Sequence, residues 1–136
     1  MTTQRSLQRL LDDISQDIIL PPVLLQTLDL DHALDLRDHD EDFDRMWRDS
    51  FDIVDKQWAL KSPDADTDKL IEDVTREAFM KVSLLTHQHE IASYVSDDFE
   101  LISRAFVLGI ESPFVAALLD AYTRGGFPVP PLPAAK

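Results

Sequence analysis

Residues 29–58 read DLDHALDLRDHDEDFDRMWRDSFDIVDKQW. Within them Phe43, Trp47, Phe51, Val54 and Trp58 recur at steps of four, four, three and four, the repeat that lines one face of an α-helix. The stretch therefore predicts a helix over about residues 40–60 with an aromatic face turned inward. Its front half is different in kind. Asp29, Asp31, Asp35, Asp38, Asp40, Glu41, Asp42 and Asp44 stand against one base, Arg37, a local net charge of −7 over sixteen residues. Asp40, Glu41, Asp42 and Asp44 open the predicted helix, where carboxylates meet the positive end of the helix dipole. The rest of the run exceeds what helix initiation requires and reads as an outward, negative surface.

The same 3–4 spacing extends in both directions. Upstream, Leu7, Leu10, Leu11, Ile14 and Ile18 form a stripe that Pro21-Pro22 should stop, since a residue before proline is pushed out of the helical region. Pro22 then suits the first turn of a short helix carrying Val23, Leu24, Leu25 and Leu28. Between Leu28 and Leu36, leucines alternate with polar residues, but leucine and aspartate are poor strand formers, so this piece reads as a continued or broken helix.

Downstream, Ser62-Pro63-Asp64-Ala65-Asp66 is a loop. A long helix follows it, with Leu70, Ile71, Val74, Ala78, Val82, Leu85, His89 and Ala92 on one stripe. Ser96-Asp97 reads as a break, with Asp97 and Glu100 spaced as a capping box. Gly109 should end the next helix, and Ser112-Pro113 should start the last. The tail FPVPPLPAAK has four prolines in ten residues and reads as extended.

The chain has 136 residues and three glycines, too few for the tight turns of an all-β fold. The expectation is an all-α protein, a single compact bundle of five or six helices over residues 1–126, with an extended Pro-rich C-terminal tail over residues 127–136. Trp47, Phe51, Trp58, Phe79, Phe99, Phe106 and Tyr122 are expected inside.

The net charge is −13, and it is uneven: residues 1–68 hold seventeen acids and seven bases, residues 69–136 nine and six. Such a surface opposes nucleic-acid phosphates and anionic membranes, and it suits a basic protein partner. The sequence contains no cysteine, which excludes disulfides, thiolate metal sites and thiol catalysis. Charge returns at Asp12, within any apolar segment of signal-peptide length, so a cytoplasmic protein is expected.

Catalytic and cofactor motifs are scarce. His32, Asp35 and His39 fall three and four apart, so a helix would offer them to one cation, although a dense acidic run produces such spacings by chance. Asp38-His-Asp40-Glu-Asp42 and Asp64-Ala-Asp66-Thr-Asp68 begin like calcium loops. Both lose the pattern at the sixth position, Phe43 or Lys69, and at the twelfth, Asp49 or Thr75. His87 and His89, two apart, point to different helix faces. No phosphate loop and no nucleophile elbow occurs, so neither an enzyme nor a cofactor is expected. Pro128-Val-Pro-Pro131 matches a polyproline ligand formally, with Lys136 as the one base that follows it.

In composition the chain resembles toxin immunity proteins, antitoxin-like inhibitors and small secretion chaperones. That resemblance implies an acidic protein-binding module that neutralises or escorts a basic partner through the Asp29–Asp44 surface. The alternatives are a nucleic-acid mimic, or a metal-dependent helical enzyme using His32, Asp35 and His39.

Overall fold

The computed structural model describes residues 2–27 and 29–132, with side chains from Arg5 onward. Seven helices occur among them and no strand: α1 (Thr2–Ser15), α2 (Pro22–Thr27), α3 (Leu30–His39), α4 (Glu41–Lys61), α5 (Ala65–Thr86), α6 (His89–Leu108) and α7 (Pro113–Thr123). The all-α expectation holds. The seventh helix is α3, the stretch whose alternating leucines left its conformation open. Leu28 and residues 133–136, including Lys136, lie outside the described residues.

α6 is the centre of the bundle. It forms a hairpin with α5, and α1, α4 and α7 also pack on it. Its sequence explains this, because Ile91, Val95, Ile102 and Ala105 lie on one stripe while Ala92, Phe99 and Leu101 widen it. Phe99 and Tyr122 are fully buried with ring centroids 4.6 Å apart, and they anchor the core where α6 meets α7. Trp47, Phe51, Phe79 and Phe106 are half-buried and pack against that core from outside. Trp58 departs furthest from expectation. It lies beneath the Arg104 guanidinium, 5.1 Å from the ring centroid, because the aromatic stripe of α4 drifts off the core toward its C-terminal end.

Three predicted boundaries move. α1 stops at Ser15, ahead of the prolines. Asp17 and Leu20 then take left-handed backbone, so Ile18 is exposed while Ile19 and Leu20 are buried. Lys81 of α5 secures this turn, donating to the carbonyls of Ile14 and Ile19 and pairing with Asp17.

The helix predicted to run through His89 and Ala92 breaks at His87. That residue is left-handed (φ 58°) and donates its N–H to the Ser83 carbonyl, while Gln88 N–H bonds to the Thr86 hydroxyl. The expected break at Ser96-Asp97 lies inside α6, where Ser96 Oγ bonds to the Thr75 carbonyl across the hairpin. Hydrophobic spacing ran unbroken through 87–88, so the turn was invisible to it.

Other signals land where expected. Gly109 ends α6 in left-handed backbone, and Ser112 caps α7 with Pro113 in its first turn. Beyond α7, Phe127 is buried on the bundle and Leu132 packs partly against the core.

Candidate functional site

The acidic run folds as α3, a kink at Asp40, and the first turn of α4. Asp29 caps α3 by accepting the His32 N–H, and Asp40 caps α4 by accepting the Phe43 N–H at 2.8 Å. Each such cap stabilises its helix by about 1 kcal/mol. Asp42 and Asp44 pair with Arg45 and Arg48 at 2.9 Å, exposed pairs that contribute little to stability. Asp38 accepts the Tyr94 hydroxyl at 2.8 Å. Among the described residues, Asp31, Asp35 and Glu41 have no hydrogen-bonding or ionic partner for their carboxylates. Seven of the eight acids are exposed and Asp40 is half-buried.

Arg37 behaves otherwise, and this corrects the charge assigned to the run. It shares a helix face with Leu30 and Ala33 and is 6% exposed. Its Nη1 and Nη2 each donate to a different oxygen of the fully buried Asp98, both at 2.8 Å. The Asp98 carboxylate accepts twice more, from Trp47 Nε1 at 2.9 Å and from Tyr122 OH at 2.7 Å. Four donors from α3, α4 and α7 thus converge on one carboxylate of α6. With Arg37 withdrawn into the protein, the run offers its seven exposed carboxylates outward without that positive charge.

Burial works against the Arg37 charge, but the attraction of Asp98 and its hydrogen bonds outweigh it and hold the guanidinium above its ordinary pKa. Rings reinforce the position, with Phe43, Phe127 and Tyr94 centred 4.8, 5.6 and 5.7 Å from the guanidinium carbon. Burial and the Asp98 charge push the Tyr122 hydroxyl well above its usual range. The hydrogen bond to Asp38, with burial, pushes Tyr94 up to about 12. Both hydroxyls remain donors at neutral pH.

A cavity of about 300 Å³ opens over this centre between α3, α4 and α6. Its walls include Phe43, Trp47 and Tyr94, with Asp38, Asp44, Asp97, Asp98, Arg37 and Arg48. Asp97 is exposed at the cavity rim, yet the protein around it partly desolvates the carboxyl, and this, followed by the neighbouring Glu100 and Asp98, raises its pKa.

The sequence reading passed over Asp98, which lies beside the break expected at Ser96-Asp97. The signal was present: Ile91, Val95, Asp98, Ile102 and Ala105 keep a 4–3–4–3 spacing, so an acid occupies an apolar stripe. Arg37 does the same on α3. Opposite charges on two buried stripes mark a candidate pair.

The proposed cation ligands fare differently. His32, Asp35 and His39 share α3, but all are exposed, and His39 Nδ1 lies 2.9 Å from the Asp35 backbone carbonyl. Among the described residues no group of three His, Asp or Glu side chains is placed to hold a metal ion. Asp40 and Asp64, which looked like calcium-loop positions, are helix caps. His87 and His89 fall on different elements, with His89 Nδ1 bonded to Ser83 Oγ at 2.6 Å.

The molecule is thus an α-helical bundle, pinned by one buried ion pair and carrying an acidic edge. Residues 9–129 match the family described as Immunity protein PIM1, and the chain belongs to that family. No curated protein matches it. Membership implies that the chain binds a partner protein, and it favours a non-enzymatic role. No helix among the described residues is long and apolar enough to cross a membrane.

Proposed function

We propose that this protein neutralises a basic partner, a toxin, by docking it on the acidic edge formed by α3 and the start of α4. The observation that carries this reading is the withdrawal of Arg37. The run's one base is spent on Asp98, and seven exposed carboxylates remain directed outward. Concentrated negative charge speeds encounter with a positively charged surface and disfavours wrong partners. Family membership supports a partner of this kind without specifying its charge. Residues Asp29, Asp38 and Asp40 serve the fold as well as the surface, and Asp42 and Asp44 pair with Arg45 and Arg48, which leaves Asp31, Asp35 and Glu41 as the carboxylates whose use is external.

The test begins with capture of the partner from host lysate on the tagged full chain, followed by salt elution and purification. Stopped-flow association is then measured for the wild type and for a Asp31→Asn, Asp35→Asn, Glu41→Gln variant. Association should slow several-fold at low salt and lose part of its salt dependence, with the melting temperature preserved. Unchanged association by a folded variant would exclude the docking role of this edge.

A further inference from the structure

We infer that the cavity between α3, α4 and α6 is a socket for one arginine side chain of the partner protein. This inference rests on the protein-docking reading above and adds where its anchor residue sits.

Charge selects the occupant. Of the cavity's two bases, Arg37 is committed to Asp98 and Arg48 to Asp44. Asp38 and Asp97 remain, and neither has a cationic partner among the described residues. Asp97 is also a carboxylate whose ionisation the surrounding protein opposes, so an arriving cation would relieve an existing cost.

The walls narrow the choice from any cation to a guanidinium. The half-buried Trp47 and Tyr94 supply the aromatic wall, with Phe43 beneath it, and a guanidinium stacks on rings and is more weakly hydrated than an ammonium. The protein already uses these residues in that way, since its own Arg37 guanidinium lies against Phe43 and Tyr94.

Size agrees with a single side chain. The volume of about 300 Å³ lies at the small end of the range of roughly 300–1,000 Å³ for ligand pockets. The cavity also adjoins the acidic edge through Asp38 and Asp44, so a partner steered there would meet it on arrival. Buried arginines in aromatic pockets are frequent hot spots of protein interfaces.

The experiment uses the ¹⁵N-labelled full chain and N-acetyl-arginine methylamide as probe, with the neutral isostere N-acetyl-citrulline methylamide as control. The indole N–H of Trp47, which donates to Asp98 in the cavity wall, is the reporter, and Trp58→Phe assigns it. The arginine probe should shift this resonance saturably, and the citrulline probe should not. Asp97→Asn should weaken probe binding several-fold while its melting transition stays intact. With the purified partner, the same variant should raise the dissociation rate about tenfold and change association less.

No saturable shift, an equal shift with citrulline, or probe binding unchanged in Asp97→Asn overturns the socket. These results separate from failure of the docking reading. Probe binding that depends on Asp97, with association indifferent to Asp31, Asp35 and Glu41, retains the socket and removes the acidic edge. The reverse pattern removes the socket alone.

Discussion

Replacing Asp98 by asparagine keeps the shape of the side chain and removes the charge on which four donors converge. Oδ1 accepts Arg37 Nη2 and Trp47 Nε1, neither of which can turn into an acceptor. Oδ2 accepts Arg37 Nη1 and the Tyr122 hydroxyl, which can rotate to accept from an amide. The asparagine amide should therefore take the Oδ2 position, losing one Arg37 bond and leaving a guanidinium of 6% exposure without its counter-charge. Breaking a buried pair from one side costs about 3–5 kcal/mol. Against a total stability of about 5–15 kcal/mol for a domain, that is a large fraction.

The variant Arg37→Met, Asp98→Leu removes both charges, so it should lose less than the sum of the two single changes, because no ion is stranded. Urea denaturation of the wild type, both singles and the double, followed by circular dichroism, measures the cycle. The Asp98→Asn loss should also persist in high salt, since a buried pair is poorly screened. A loss below about 1 kcal/mol, or strict additivity in the cycle, would refute the assignment of this pair as a buried, mutually dependent unit.

Phe99→Ala should cost about 3–5 kcal/mol through lost burial and the cavity left at the α6–α7 contact. Trp58→Ala should cost clearly less, and equal losses in denaturation would mean that Trp58 belongs to the core after all. The carboxyl of Asp97 titrates above its ordinary value in the folded protein, so its contribution is favourable while it is protonated and is lost as pH rises through the folded pKa. Asp97→Asn should therefore raise the melting temperature at pH 7 relative to wild type and lose that advantage near pH 3. Asp64 has the opposite sign, since hydrogen bonds from Thr67 lower its pKa. The stability it gives is present above the ordinary carboxylate range and disappears as pH falls through the folded value. Thermal melts of Asp64→Ala across that range should converge with wild type in acid.

The sequence alone determined that the chain is helical, because the 3–4 spacing of apolar residues is a local property that each segment carries by itself. The same is true of the caps at Ser112 and Gly109 and of the acidic character of residues 29–44. The turn at His87-Gln88 needed tertiary structure, since the apolar stripe of α5 and that of α6 happen to keep phase across it and only their antiparallel packing requires the break. Trp58 carries a core residue's spacing, yet whether a helix end still faces the core depends on where its neighbours stop. The largest such effect is at Arg37 and Asp98, sixty-one positions apart. Composition counts them as one surface charge and one polar turn. The packing of α3, α4 and α7 around α6 makes them a buried pair, because a charge on an inward stripe can be kept there only by an opposite charge and donors that distant parts of the chain supply.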